Sequence, residues 1–172
     1  MDAPLSIERV NRMSPDEFSR SFGPVFEHSP WIAERAFAKR PFADVDALHR
    51  AMTDAVRAAS REEQLALLRA HPELAGREAR AGTLTAASTS EQKNAGLNAL
   101  SREEMERIAS LNRRHAERFG FPFIIAVRLN VKERIFAEFE RRLALDPQTE
   151  MDLCLEQVYL ITALRLKDAT GG

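Results

Sequence analysis

The chain has one cysteine, few glycines and no long apolar run, and each shortage excludes a class of protein. Its single cysteine, Cys154, excludes an intramolecular disulfide. Because Cys154 has apolar neighbours, we expect a small core residue rather than a nucleophile. The seven glycines form no glycine-rich phosphate loop. No stretch reaches the length of a membrane span, so no membrane partner is predicted.

The net charge and the two ends of the sequence bear on partners and location. A net charge of -1 over 172 residues argues against a broad nucleic-acid or anionic-membrane surface. The start, Met-Asp-Ala-Pro-Leu, lacks the basic and apolar regions of a secretory signal, and the final Thr-Gly-Gly is not a peroxisomal address. We therefore expect a soluble cytoplasmic protein of a bacterium, without a nucleic-acid partner.

Capping and periodicity signals along the chain are almost entirely helical. Helix starts are expected after Ser14, Asp44, Ser60 and Ser101, three of which have glutamate three residues later. Apolar residues recur at helical spacing behind these caps. The sequence therefore predicts an all-α, single-domain, irregular bundle of about eight helices over residues 1–172.

Two segments interrupt this pattern, and functional residues tend to collect in such places. Residues 71–92 are rich in alanine, glycine, serine and threonine, without clear periodicity until Glu91. Residues 121–127 are apolar and contain β-branched residues beside a proline. They predict one short extended segment among the helices, because a lone strand cannot satisfy its own backbone groups. A core role explains their side chains, while their backbone could hydrogen-bond a flat, amide-rich ligand.

His71 is the first candidate for chemistry, since it ends a predicted helix directly before Pro72. The partial negative charge of a helix C-terminus stabilises an imidazolium. An imidazolium placed there can donate a proton near neutral pH. A favourable C-terminal cap explains the same position without any chemistry.

Two further charged residues each allow a structural and a functional interpretation. Ser88 and Glu91 have the spacing of a capping box, and Glu91 could instead be a functional carboxylate. Arg165 follows an apolar stripe, so its stem could lie over apolar surface or its guanidinium could point inward at a carboxylate. The four histidines form no His-x-x-x-His pair, and there is no cysteine cluster, so no metal site is predicted.

Three motifs follow one another along the chain: His71-Pro72-Glu73-Leu74-Ala75-Gly76, Ser88-x-x-Glu91-Gln92-x-x-Ala95-Gly96-Leu97, and Arg118-Phe119-Gly120-Phe121-Pro122-Phe123-Ile124-Ile125-Ala126-Val127. In their order and spacing they resemble the 2-oxo-4-hydroxy-4-carboxy-5-ureidoimidazoline (OHCU) decarboxylases. The upstream Phe26-Glu27-His28-Ser29-Pro30-Trp31 also resembles that family, and the resemblance covers nearly the whole chain.

This resemblance implies an all-α, cofactor-free, homodimeric enzyme that converts OHCU to (S)-allantoin, the third step of urate oxidation. It implies that His71 is the catalytic acid or base near the substrate's hydroxyl and carboxylate. Glu91 would be its catalytic partner and would position the hydroxyl or ureido groups. The implied substrate-binding residues are Pro72, Ser88, Thr89, Ser90, Gln92, the backbone of Phe123, Ile124, Ile125, Ala126 and Val127, and Arg165.

Two other functions compete with this one. A cofactor-free enzyme of the same superfamily could act on another small ureide, and pocket shape with a substrate panel would separate it. A non-catalytic helical interaction module would instead carry a large exposed apolar stripe. It would have no pocket in which residues 71, 91 and 165 converge.

Overall fold

The computed structural model describes residues 3–172, and this part of the chain is helical with no strand. Met1 and Asp2, which belong to the stretch in which no secretory signal is predicted, lie outside the described residues. Two short 3₁₀ turns, Gly23–Phe26 and Val127–Leu129, accompany the α-helices. The ten α-helices of residues 3–172 are α1 (Ile7–Arg12), α2 (Pro15–Phe22), α3 (Trp31–Phe37), α4 (Val45–Arg57), α5 (Arg61–Ala70), α6 (Arg77–Ala81), α7 (Ala86–Asn94), α8 (Arg102–Phe119), α9 (Lys132–Arg142) and α10 (Pro147–Thr170).

The helix caps predicted at Ser14, Asp44, Ser60 and Ser101 are present in the structure. Ser14 and Ser101 form complete capping boxes at the starts of α2 and α8. At the start of α5, Ser60 accepts from the backbone of Glu63, whose carboxylate accepts from the Ser60 N–H at 2.9 Å. Asp44 caps α4 by accepting the Ala47 N–H at 2.7 Å. The all-helical prediction is therefore confirmed, together with the local chemistry on which it depended.

The structure adds helices that the sequence pattern did not predict. The first, α1, has six residues, and α6, inside the segment without clear periodicity, has five. Helices this short contain fewer than two turns, so no apolar periodicity can reveal them. The predicted extended segment is also one residue shorter, because Val127 already begins the second 3₁₀ turn.

Two compact units can be distinguished, and the first contains the residues up to Ala70 together with Tyr159–Gly172. In this unit α3 packs against α2 and α4. Its core is aromatic and aliphatic, and the Phe18 ring contacts Phe22 at a centroid distance of 4.9 Å. Fully buried side chains of this core include Phe18, Phe22, Phe26, Ile32, Leu48 and Met52.

The second unit comprises His71–Val158 and holds most of the predicted site residues. Here α8 packs against α9. Phe123 stacks on Phe139 with 3.9 Å between ring centroids, which fixes the apolar segment against α9. The core of this unit consists of Leu74, Leu97, Ile108, Leu111, Phe123, Ile125, Val127, Ile135, Phe136, Phe139 and Leu143. Across residues 3–172, no helix has both the length and the apolar character that crossing a bilayer requires.

Candidate active site

His71 directly follows the last residue of α5 and is 7% exposed. The structure thus places the imidazole at a helix end, as the sequence predicts, and buries it. Residues 71–76, which begin with His71, form no regular helix, and we call them the His71 loop. Pro72 within this loop is half-buried. A buried imidazole on a short loop can act on a ligand only if the loop is held in place.

The backbone of the His71 loop is unusual at its end. Ala75 has φ 47°, in the left-handed region, which costs a residue other than glycine about 1 kcal/mol. The next residue must be glycine for a different reason, because a Cβ on Gly76 would lie 2.5 Å from the Cβ of Glu73. Such backbone strain tends to be kept at functional sites, where surrounding contacts enforce it. The geometry gives a physical reason for the alanine–glycine end of the first motif.

Two side chains enforce this loop conformation. The Nδ2 amide of Asn112, on α8, donates to the Leu74 carbonyl at 3.0 Å. The Ala75 N–H donates to the side-chain oxygen of Gln92, on α7, at 2.9 Å. Asn112 and Gln92 are both buried, so these bonds are shielded from water. Sequence reasoning missed Asn112, which lies on the apolar face of α8 beside Leu111.

The α7 helix begins earlier than the capping-box interpretation requires, so that interpretation is wrong. Its N-cap is Thr85, whose hydroxyl accepts the Ser88 N–H at 3.2 Å. Ala86 and Ala87 are strong helix formers, and they extend the helix back to Thr85. Glu91 consequently lies in the interior of α7 rather than in its first turn. Capping therefore does not explain this carboxylate.

The predicted residues of α7 divide between two faces. Ser88 and Gln92 are buried and Glu91 is half-buried, which is the spacing of one helix face. Thr89 and Ser90 are exposed. The Thr89 hydroxyl donates to the Thr85 carbonyl at 2.9 Å, so it bonds to its own helix. The buried face places Glu91 on the side from which Gln92 contacts the His71 loop.

The third piece is the apolar segment, residues 123–127, whose side chains are all buried. The Ile124 carbonyl accepts from Arg142 Nη1 at 2.7 Å, and the Ala126 N–H donates to Gln157 Oε1 at 2.9 Å. Within residues 3–172, the backbone groups of Phe123 and Ile125 make no hydrogen bond. Alternate residues of an extended chain direct these groups to opposite edges. One edge is therefore anchored to the protein, and the groups of the other edge make no hydrogen bond within the described residues.

A buried ionic cluster supports that anchored edge, and the sequence analysis did not predict it. Glu150 accepts from His115 Nε2 at 2.8 Å and from Arg142 Nη2 at 2.8 Å. His115 Nδ1 lies 2.9 Å from the Phe121 carbonyl. Burial by itself raises the pKa of Glu150, but the hydrogen bonds from His115 and Arg142 outweigh it and lower the pKa. The one feature of the sequence that could have indicated this cluster is His115, a histidine on the apolar stripe of α8.

Cys154 lies against the same cluster and is inert. Arg142 Nη2 donates to its sulfur at 3.0 Å. Burial raises the pKa of the Cys154 thiol to about 12. The thiol therefore stays protonated near neutral pH, and the expectation of a small core residue rather than a nucleophile agrees with this chemistry.

Arg165 belongs to the first unit and is 7% exposed. Its Nη2 donates to Glu27 Oε1 at 2.8 Å and its Nη1 to the Val25 carbonyl at 3.0 Å. Of the two interpretations of Arg165, the inward-pointing guanidinium is the observed one. Glu27 was present in the upstream motif of the resemblance, but its pairing with Arg165 joins residues far apart in the sequence.

The second unit therefore brings three predicted pieces together. The His71 loop is bonded to α7 through Ala75 and Gln92, and α7 packs against the turn Val127–Leu129. Leu74 of the loop shares one core with Phe123 and Ile125. Within the described chain, no three His, Cys, Asp or Glu side chains are grouped so that they could hold a metal ion.

These features define an all-helical protein in which a buried histidine, a helix that bears a half-buried glutamate and a backbone edge without hydrogen bonds belong to one compact unit. Residues 11–167 match the profile of the OHCU decarboxylase family, and the chain belongs to that family.

Individual relatives agree with this assignment. A 2-oxo-4-hydroxy-4-carboxy-5-ureidoimidazoline decarboxylase of Haloferax volcanii is 46% identical over 164 residues, which is 95% of each chain. The Mus musculus protein of the same name is 39% identical over 168 residues, or 98% of this chain and 94% of the mouse chain. A crystal structure of (S)-allantoin synthase has a TM-score of 0.74 at 28% identity; the match covers 96% of this chain and 54% of that chain.

Proposed function

We propose that this protein is a carboxy-lyase that decarboxylates OHCU to (S)-allantoin, in urate degradation. One observation carries the proposal: the Ala75–Gln92 bond of 2.9 Å joins the loop that bears His71 to the helix that bears Glu91. Membership of the OHCU decarboxylase family gives this pair of residues its chemistry. The names of the relatives, a decarboxylase and an (S)-allantoin synthase, match the substrate and product.

The reaction requires that the substrate be held in one orientation and that one proton be supplied. It does not require a cofactor. When the bond between the ring carbon and the carboxylate breaks, CO2 leaves. The electron pair of that bond moves into the ring toward the imine-like nitrogen. The substrate thus supplies its own electron sink, and a proton is then added to the ring. The protein has to hold the breaking bond in place and deliver that proton to one face only. One-sided delivery yields a single enantiomer of allantoin.

The roles of the residues follow from where they lie. His71 acts as the acid or base beside the substrate's hydroxyl and carboxylate, and Glu91 positions the hydroxyl or ureido groups. The carboxylate of Glu91 accepts hydrogen bonds from such groups, whereas the imidazole can also move a proton. A second group of residues binds the rest of the substrate: Pro72, Ser88, Thr89, Ser90, Gln92, Arg165 and the backbone of 123–127.

Within that group, burial favours some members over others. Gln92 has its oxygen engaged by Ala75, so its Nε2 amide is the group it offers to a substrate carbonyl. Ser88 lies on the same buried face. Thr89 and Ser90 are exposed, so any role they have is through the rim of the site or through their backbone. Arg165 contributes a buried guanidinium that is already paired with the carboxylate of Glu27.

The remaining parts of the proposal concern the whole protein. We infer one OHCU decarboxylase-like domain over residues 1–172, working as a cytoplasmic homodimer with neither metal nor cofactor, and without a nucleic-acid or membrane partner. The family match over most of the chain supports the single domain. We also infer a bacterial source; the relatives include a protein of Bacillus subtilis as well as those of Haloferax volcanii and Mus musculus.

The direct test is to follow freshly generated OHCU by absorbance and circular dichroism with and without the protein. We expect faster loss of OHCU and formation of (S)-allantoin alone. An unchanged spontaneous rate with racemic product would exclude the proposal. A panel of other small ureides, run in the same assay, separates this function from that of a related enzyme with a different substrate.

A further inference from the structure

Two peptide groups flank Ile125 in the 123–127 segment. In each of them, the polar group that belongs to the neighbouring residue is hydrogen-bonded to a side chain of the protein. The Ile124 carbonyl and the Ile125 N–H belong to one peptide group, and that carbonyl accepts from Arg142 at 2.7 Å. The Ile125 carbonyl and the Ala126 N–H belong to the next, and that N–H donates to Gln157 at 2.9 Å. The Ile125 N–H and carbonyl themselves have no partner within residues 3–172.

Anchoring one end of a peptide group changes what its other end can do. A cation on the Ile124 oxygen draws electron density through the peptide and makes the Ile125 N–H a stronger donor. An acceptor on the Ala126 N–H has the opposite effect and makes the Ile125 oxygen a stronger acceptor. Both groups belong to one residue, so they present a donor and an acceptor along one edge of the chain. A ligand with an N–H and a carbonyl on neighbouring ring atoms is complementary to this pair.

We propose that Arg142 and Gln157 are positioning residues that fix and polarise Ile125 as the donor–acceptor pair for the ring amide of the ligand. This inference rests on the proposed function, because it takes the ligand to be a ureide. Arg142 is itself immobilised, since Glu150 accepts from both its Nε and its Nη2. Neither residue needs to touch the ligand, and each acts through a single peptide bond.

Gln157 offers the cleaner test, because it is half-buried and lies outside the ionic cluster. In Gln157→Leu the Ala126 N–H loses its acceptor, whereas Gln157→Glu keeps an oxygen there. The probe is (S)-allantoin, measured by titration calorimetry. It is uncharged, so the extra charge of Gln157→Glu does not distort its affinity. Gln148→Leu, which changes an exposed glutamine of the same helix, is the matched control.

We expect Gln157→Leu to bind (S)-allantoin roughly three- to tenfold more weakly, at most the effect of one net hydrogen bond, because the Ile125 carbonyl is no longer held and polarised toward the ligand. The KM for OHCU should rise by a similar factor with little change in kcat, since the ring amide is bound in both ground and transition states. Gln157→Glu should stay within about twofold of the unchanged protein, and Gln148→Leu should not differ from it. A merely structural role for Gln157 would lower thermal stability without this split between KM and kcat.

Arg142→Lys extends the test to the other peptide group, and we expect weaker (S)-allantoin binding from it as well. If that variant does not fold, the comparison of Gln157→Leu with Gln157→Glu still tests the inference, because Arg142 and Gln157 act on separate peptide groups. Unchanged affinity in Gln157→Leu, or an equal loss in Gln148→Leu, would overturn the inference while the proposed function stands. Failure of the unchanged protein to bind (S)-allantoin or accelerate OHCU loss would overturn the proposed function, and this inference with it.

Discussion

The side-chain oxygen of Gln92 accepts the backbone N–H of Ala75 at 2.9 Å. This bond crosses from α7 to the His71 loop and meets the loop at its strained residue, where φ is 47°. It has two consequences for the site. It keeps His71 and Glu91 on neighbouring pieces of structure, and it fixes the orientation of the Gln92 amide, so that Nε2 is the end left for a ligand.

Gln92→Glu separates these two consequences. The carboxylate still accepts the Ala75 N–H, so the loop should remain in place, but the Nε2 donor becomes an acceptor. We expect a KM for OHCU about tenfold higher or more, together with some loss of thermal stability because a carboxylate at this buried position is desolvated. Gln92→Ala is the companion variant, and it should lose about 1–2 kcal/mol of stability because the Ala75 N–H is left unsatisfied. An unaltered KM in Gln92→Glu would remove Nε2 from the substrate contacts.

His71→Asn should retain the fold and lose most of the turnover. Asparagine keeps a polar side chain of related shape but cannot transfer a proton near neutral pH, so kcat should fall at least about 100-fold. The measurement is OHCU consumption at saturating substrate, with circular dichroism to confirm folding. His28→Asn, which changes an exposed histidine, serves as the control and should leave kcat unchanged. Turnover close to normal in His71→Asn would exclude His71 from the chemistry.

Arg165 and Glu27 form a buried ion pair whose structural and functional roles can be separated. Arg165→Met should cost about 3 kcal/mol of stability, because it leaves the Glu27 carboxylate buried without its cation. Adding Glu27→Gln removes that negative charge and should restore part of the loss, as measured by chemical denaturation. The double variant should still show a KM about tenfold higher if Arg165 also binds substrate. A normal KM in the folded double variant would make the arginine purely structural.

Gly76→Ala should destabilise the protein by about 2 kcal/mol and lower activity. The new Cβ would lie 2.5 Å from the Cβ of Glu73, so the His71 loop has to shift. Gly23→Ala is the matched control: Gly23 has helical φ of -53°, and its Cβ would meet Pro30 at an ordinary 3.6 Å. Thermal denaturation of both variants gives the comparison. Equal effects of the two substitutions would show that close packing at Gly76 is not what fixes the loop.

The ionic cluster predicts a pH dependence of stability. The pKa of Glu150 is lowered in the folded protein from an ordinary value of 4.5, although burial opposes this, because His115 and Arg142 donate to it. Its stabilising contribution is therefore present above about pH 4.5 and is lost as the pH falls through the folded pKa. Glu150→Gln should cost about 3 kcal/mol at pH 7, with a difference from the unchanged protein that shrinks toward pH 3.

Glu63→Gln provides the surface comparison for this experiment. Its hydrogen bond with Arg35 lowers the pKa of Glu63 to about 2, but the pair is exposed to solvent. Solvent screening should leave this variant with a much smaller loss of stability at pH 7. The proposed linkage requires that the difference in free energy of unfolding between Glu150→Gln and the unchanged protein depend on pH. A difference that stays constant from pH 7 to pH 3 would contradict it.

Local chemistry explains which features were accessible from the sequence. Caps such as Ser14 and Ser101 act within one helical turn, so the residues that form them are neighbours in the chain. His71 could be placed at a helix end because Pro72 follows it. The start of α7 was misplaced because Thr85 and Ser88 are both acceptable N-caps, and the alanines between them decide in favour of the earlier one.

The sequence by itself determined the helical class, the helix starts at Ser14, Asp44, Ser60 and Ser101, and the three motifs that mark the site. Only tertiary structure decided that Gln92 meets Ala75, that Arg142 and Gln157 hold the two peptides around Ile125, and that Arg165 pairs with Glu27. The physical reason is the range of the interactions. Capping and periodicity act between residues a turn apart, whereas these hydrogen bonds join residues far apart in the chain, and only the packed helices bring them together.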